Sequence, residues 1–260
     1  MYPVTFFYFI FAKNVKKSLK IYYEHIGEEF NSKVYFEHLR IFAITMVDRF
    51  ITKVDADSYT YMYDDPDTPL KVFSKSTILL QSHFGGWASS SSVSRTQNKI
   101  HIVMKEALMD SIKSIEDSLE IKTNVSIIDL NSGTLSVSIQ IANALMNDEI
   151  VAMMGDRASN KNALVKAEFF GQEAFFNKNP FQIAYKMNKP IMVYFVIYLK
   201  MKKYKFEYMK IELDQSKNEE EAIKEALSSY IKMYEGMIKR YPNQWLNFYD
   251  FWEKDPLVDS

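Results

Sequence analysis

From Thr77 to Leu213 the chain alternates short apolar runs with stretches of helical spacing, and few folds accommodate that rhythm. Thr77 to Gln81, Lys99 to Met104, Val125 to Leu130 and Ile150 to Met154 read as strands. Between them, Glu106 to Leu119 places Leu108, Ile112, Ile115 and Leu119 at helical intervals, and Thr134 to Met146 reads as a helix with Ser132 as its expected cap. Pro190 to Leu199 and Tyr204 to Leu213 read as two further strands joined by the basic turn Lys200 to Lys203. Glu219 to Arg240 opens on acidic residues and closes on Lys239-Arg240, as the helix dipole favours. A βαβα order predicts an α/β protein, a single domain with a central mixed sheet flanked by helices. No linker, repeat or low-complexity stretch divides residues 1–260.

Ahead of the alternation, residues 34–51 carry apolar positions near a 3.6 period, so a helical portion is predicted over residues 1–50, with His38 and Asp48 on its polar face. Residues 52–76 read as a connection punctuated by Asp, Pro and Ser, with room for short strands or turns. Its acidic run, Asp64-Asp65-Pro66-Asp67, lacks the ligand alternation and glycine of a calcium loop and reads as a solvated turn. Pro3 to Ala12 is apolar but about half the ~20 residues a bilayer span needs, and no basic n-region or clear cleavage site marks it as a secretory signal. Lys13, Lys16, Lys17 and Lys20 follow it, a pattern that suits a helix lying in a membrane interface and equally a core helix with a solvated lysine face.

Charge and cysteine content remove several classes of function. With 32 basic and 33 acidic residues there is no overall field for nucleic acid, so any anion site must be local. The absence of cysteine excludes disulfides, thiolate nucleophiles and cysteine zinc sites, and is compatible with a reducing compartment. The 4 histidines form no metal-ligand spacing, and no Gly-x-Gly-x-x-Gly or Walker sequence follows a strand. Neither a metal nor a cofactor is expected.

The chemistry concentrates at strand ends. The run from Thr77 stops in Ser82-His83-Phe84-Gly85-Gly86-Trp87, where paired glycines permit a tight turn and close approach of another molecule. A helix starting after the glycines would set His83 at its N-terminus, which disfavours the imidazolium and leaves a ring able to accept a proton. Gly155-Asp156-Arg157 ends the Ile150 to Met154 strand, a position where α/β proteins place polar function, although a local ion pair would explain it as well. Glu106, directly after another strand, is a second candidate carboxylate. Farther on, Glu168 to Phe176 and Asn179 to Ala184 form an aromatic block entering a helix through Pro180, and Tyr241 to Trp252 ends the chain in aromatic residues.

Four of these blocks, in order, resemble the lysophospholipid acyltransferase superfamily, in particular its lipid A late acyltransferase branch. Ser82 to Trp87 is similar to the first motif, Gly155-Asp156-Arg157 to the second, Phe169-Phe170-Gly171 with Asn179-Pro180 to the third, and Pro242-Asn243-Gln244-Trp245 to the terminal segment. Tyr2-Pro3-Val4, Tyr22-Tyr23 and Phe42 to Arg49 resemble the helical N-terminal portion of such proteins, which generally carry a further apolar segment upstream. The resemblance implies that His83 is the general base and that an acyl-thioester donor, acyl carrier protein or coenzyme A, gives its acyl group to a hydroxyl or amine of a lipid or glycolipid. It implies anion recognition by Arg157 and an acyl path lined by Phe169, Phe170, Gly171 and Pro180. Gly85, Gly86 and Trp87 are expected at the substrate, with the two glycine N–H groups as oxyanion donors. The location implied is the cytoplasmic face of an inner membrane, held peripherally, or the cytoplasm. The family pattern puts an acid five residues after the histidine, and here that residue is Ala88. Asp156 is the first candidate substitute and Glu106 the second. Without a substitute the same fold would be a lipid-binding homologue; a hydrolase using Ser89 to Ser92 is a third reading that no nucleophile elbow supports.

Overall fold

In the computed structural model, which describes residues 2–65, 67, 75–87, 98–105 and 124–253, seven strands form one mixed sheet in the order β1-β9-β8-β2-β5-β3-β4. The strands are β1 (Thr60–Tyr63), β2 (Thr77–Gln81), β3 (Ile100–Met104), β4 (Val125–Asp129), β5 (Ile150–Met154), β8 (Ile191–Lys200) and β9 (Lys203–Ile211). All pairings are parallel except β8 with β9, which a hairpin joins. The helices among the described residues are α1 (Tyr2–Phe11), α2 (Lys13–Ile26), α3 (Ser32–Val54), α4 (Thr134–Met146), α5 (Asn179–Met187) and α6 (Glu219–Arg240). The expected α/β architecture with a helical N-terminal portion is therefore present.

Central β2 is buried at every position, as a strand covered on both faces requires, which is why its sequence is apolar without alternation. Ile78 and Leu80 join Val151, Met153, Val193 and Phe195 in the main core, beneath Tyr230 and Tyr234 of α6 and Phe181 of α5. Leu79 faces the other side with Ile150, Ala152 and Met192. β5, β3 and β4 lie to one side of β2 and β8, β9 and β1 to the other, so the C-terminal end of β2 sits near the middle of the sheet, where α/β folds place polar function.

Local chemistry accounts for the element ends. Asn31 caps α3 by accepting from the backbone N–H of Lys33 and Val34, and Asn218 caps α6 by accepting from Glu221. Gly27 ends α2 in the left-handed region at φ 73°. Gly133, not Ser132, stands at the N-cap of α4; the Ser132 hydroxyl donates instead to the Asp129 carbonyl in the preceding turn. β1 emerges within the stretch read as a connection, its aromatic side chains extending the tyrosine-rich layer of Tyr198, Tyr204 and Phe206. Residues 164–177 form a hairpin outside the main sheet, β6 (Leu164–Phe169) and β7 (Gln172–Asn177), where the sequence predicts only an aromatic block.

Two N-terminal expectations are corrected. His38 is fully buried, donating from Nε2 to the Trp245 carbonyl at 2.5 Å while its Nδ1 accepts from the Tyr23 hydroxyl. Asp48 is buried as well and accepts from the hydroxyls of Tyr59 and Tyr204. Periodicity assigned both to a polar face because it counts side-chain type and not the partners that make a buried polar group tolerable. Helix α1, by contrast, buries only Thr5 and leaves Tyr2, Val4, Phe6, Phe7, Ile10 and Phe11 exposed, with Phe9 packed on Tyr35 and Phe36 of α3.

Candidate active site

The last register pair of β2 and β5 is Gln81 with Met154, and the Gly155 N–H extends the ladder by donating to the Gln81 carbonyl at 2.8 Å. Two residues past each member of that pair stand His83 and Asp156. Equal offsets from parallel strands in register bring the two side chains together, and His83 Nδ1 lies 3.0 Å from Asp156 Oδ1. Asp156 Oδ2 accepts from the His83 backbone N–H at 2.7 Å, from Asn247 Nδ2 at 2.9 Å and from the Tyr234 hydroxyl at 3.3 Å. The carboxylate is fully buried, whereas the imidazole keeps 16% of its surface exposed.

Burial on its own would raise the Asp156 carboxyl; the charge and hydrogen bond of His83, the Arg157 charge and the Asn247 amide outweigh it and hold the group down at about 2. An ionised carboxylate only accepts, so the proton of a neutral His83 sits on Nδ1 and the lone pair is on Nε2. That is the tautomer a general base needs, oriented by a carboxylate on the far nitrogen. The Trp87 ring stands edge-on to the imidazole at 5.2 Å.

The turn carrying His83 is fixed from two sides. Gly85 has φ +58°, and a Cβ there would lie 2.1 Å from the Val196 carbonyl oxygen, so no other residue fits without moving β8. Its N–H donates to the Gln244 carbonyl at 2.8 Å, the Gly86 N–H donates to the Val196 carbonyl at 2.7 Å, and the Leu246 N–H donates to the His83 carbonyl at 2.8 Å. The two glycine amides are thus spent inside the fold, and the expectation that they serve as oxyanion donors is corrected: the glycines permit close packing of the turn.

Arg157 follows Asp156 into the same corner, its Nε donating to Asn247 Oδ1 at 2.9 Å and its guanidinium lying 5.0 Å from the Tyr249 ring centre. Asn177, at the end of β7, donates from its backbone to the Gly155 carbonyl and from its amide to the Met154 carbonyl, tying the hairpin to the turn before Asp156. Phe169 is buried in an aromatic stack between Tyr234 and Trp252. Phe170 and Gly171 make the hairpin turn, both at positive φ, and Pro180 is buried in the first turn of α5. Phe169 reaches the His83–Asp156 pair through Tyr234, whose hydroxyl donates to Asp156. Ala88, the serines after it and Glu106 lie outside the described residues, and among the described residues no cluster could hold a metal ion.

Tyr234 and Asn247 complete the carboxylate's shell, and neither was singled out from sequence. Tyr234 is one of many aromatic residues on a helix face. Asn247 carried a faint signal, a lone amide between Leu246 and Phe248 in an otherwise aromatic stretch. That terminal segment is itself core: Trp245, Asn247 and Phe251 are buried.

The class of protein is that of a mixed α/β sheet with a histidine–carboxylate pair just past the ends of two neighbouring parallel strands. A model of the bacterial lipid A biosynthesis acyltransferase family matches residues 71–254, and the chain belongs to that family. No curated protein matches the chain. The family's activity is acyl transfer onto lipid; helices α1 to α3 lie ahead of the matched region.

Proposed function

We propose that the protein transfers a fatty acyl group from an acyl-thioester donor, acyl carrier protein or coenzyme A, to a hydroxyl or amine of a lipid or glycolipid, with His83 as general base. Nε2 of His83 takes the acceptor proton, the acceptor heteroatom attacks the thioester carbonyl, and collapse of the tetrahedral adduct expels the thiolate, which recovers the proton from the imidazolium. Asp156 holds the productive tautomer and offsets the imidazolium charge, taking the part that Ala88 cannot. Arg157 supplies the cation of the site, for an anionic group of a substrate or the developing oxyanion. Trp87 and the aromatic hairpin of Phe169, Phe170 and Gly171, with Pro180 behind it, border the acyl chain.

The observation that carries this reading is the Asp156 carboxylate on His83 Nδ1 at 3.0 Å. A lipid-binding protein without catalysis has no use for a buried acid on that nitrogen, so the contact favours an enzyme over the alternative that Ala88 suggested. We place the protein peripherally at a membrane surface, inner leaflet side, because α1 exposes an uncharged aromatic face and the α2 lysines follow it directly. Among the described residues no helix is long and apolar enough to cross a membrane. Lipid mass spectrometry of cells with the wild type or His83→Ala tests the assignment: an acylated lipid should disappear with the histidine. Wild-type transfer by purified His83→Ala from a charged carrier protein or acyl-coenzyme A would refute it.

A further inference from the structure

Among the described residues Asp156 is the carboxylate that touches the ring of His83, and its own environment decides how it acts. Oδ1 faces the imidazole, while Oδ2 is shared among three donors. One donor is the backbone of His83 and one is Tyr234, whose 3.3 Å contact is the longest of the set. The third, Asn247, differs in kind. Its amide nitrogen serves Asp156 at 2.9 Å while its amide oxygen accepts from Arg157 Nε at 2.9 Å, and the side chain has no exposed surface.

We propose that Asn247 is a positioning residue for the reaction, a single carboxamide that fixes the spacing of the acid behind the base and the cation beside it. The inference rests on the reading of His83 and Asp156 given above. An amide is the side chain that can do both tasks, since it donates from one end and accepts from the other without bringing a charge. An Asp here would accept from Arg157 but would set a second carboxylate against Asp156; a Leu would fill the volume and satisfy neither neighbour. Asn247 is placed by the strand-like segment that also binds the His83 turn, with the Leu246 N–H on the His83 carbonyl and the Gln244 amide on both polar groups of the Tyr198 backbone. One segment therefore locates base, acid and cation together.

The groups facing Asp156 are His83, Arg157, Asn247 and Tyr234, with Tyr230 and Tyr249 one ring farther out. Loss of the Asn247 donor makes the carboxylate more basic, and release of Arg157 removes a positive charge from the corner. Both effects favour the protonated imidazole, so they act in the same direction.

The test needs no substrate. In the purified full chain, the ring signals of the four histidines are followed by NMR against pH, with His83 assigned from the His83→Ala spectrum. Asn247→Leu and Asn247→Asp should each raise the His83 midpoint relative to wild type, by about one pH unit for Leu and more for Asp. Asp156→Asn should lower it. An unchanged His83 midpoint in a folded Asn247 variant that leaves the Asp156→Asn shift intact overturns the role of Asn247 alone. An unchanged midpoint in Asp156→Asn itself defeats the underlying pairing. Because Asn247→Asp is nearly isosteric, it carries the test if Asn247→Leu fails to fold.

Discussion

A buried carboxylate normally takes up a proton, and Asp156 avoids this through the imidazole and hydrogen-bond donors around it and the Arg157 charge beside it. Its acidity at about 2 fixes two expectations. At and above pH 4 the group stays ionised, so an acid limb in the rate of transfer above that pH does not come from its protonation. Because the folded value lies below the ordinary 3.8, the stabilisation from Asp156 is complete above that pH and is lost as pH falls toward 2, on the order of 2 kcal/mol. Asp156→Asn should erase that part of the acid denaturation curve, measured by circular dichroism. In the reaction, His83→Ala should abolish transfer, while Asp156→Asn should lower kcat by about 10²- to 10⁴-fold in a chain that still folds, its melting temperature lower by several degrees. His83 and Asp156 were legible in the sequence because each ends an apolar run at the same offset. Asn247 was not, because nothing about an asparagine in an aromatic segment says that β2 and β5 will point at it.

At the scale of elements, the turn after β2 is wedged between β8 and the segment from Pro242, with no space to yield. Gly85→Ala combines a disfavoured φ with a Cβ 2.1 Å from the Val196 oxygen, and should cost about 3 kcal/mol in a denaturant titration while removing activity. Helix α3 reaches the same segment through His38. Burial lowers that imidazole to about 4, and the hydrogen bond to Trp245 only partly offsets it. The unfolded chain, titrating near 6.5, then binds the extra proton first, so stability is full above pH 6.5 and declines toward pH 4 by about 3 kcal/mol. His38→Gln should flatten the melting temperature across that window. Strands β2, β5 and β8 could be read from composition because burial on both faces demands apolar residues at nearly every position. The β6–β7 hairpin could not: its alternation is mixed with the charged pair Lys166 and Glu173, and its identity as a hairpin depends on Phe170 accepting a positive φ beside Gly171.

Taken as a whole, the molecule has an apolar, uncharged helix at one end and its reactive histidine in the middle of a sheet. Binding to vesicles should therefore depend on α1. Replacing Phe6, Phe7 and Phe11 with Ser should abolish co-sedimentation with anionic vesicles and leave the far-UV spectrum unchanged, while added salt should weaken the wild type through Lys13, Lys16, Lys17 and Lys20. Equal partition of both proteins would end the peripheral assignment. The helical N-terminal portion was legible as helix, but its grip on the terminal segment, with Tyr22 stacked on Trp245 at 4.2 Å and bonded to the Pro242 carbonyl, joins residues more than two hundred positions apart and leaves no local trace.

That the Pro242 to Asn247 segment closes over the His83 turn bears on when the protein first becomes competent. A chain leaves the ribosome from its N-terminus, and the stretch that seats base, acid and cation emerges after every strand of the sheet. Until then the sheet and most of the core can assemble around a histidine whose backbone is untethered, so a nascent or stalled chain would be compact and silent. The same geometry makes this segment a point of inactivation: cleavage between Pro242 and Asn247 should extinguish transfer well before the fold is lost, a sequence of events that a limited-proteolysis time course followed by activity and circular dichroism would resolve.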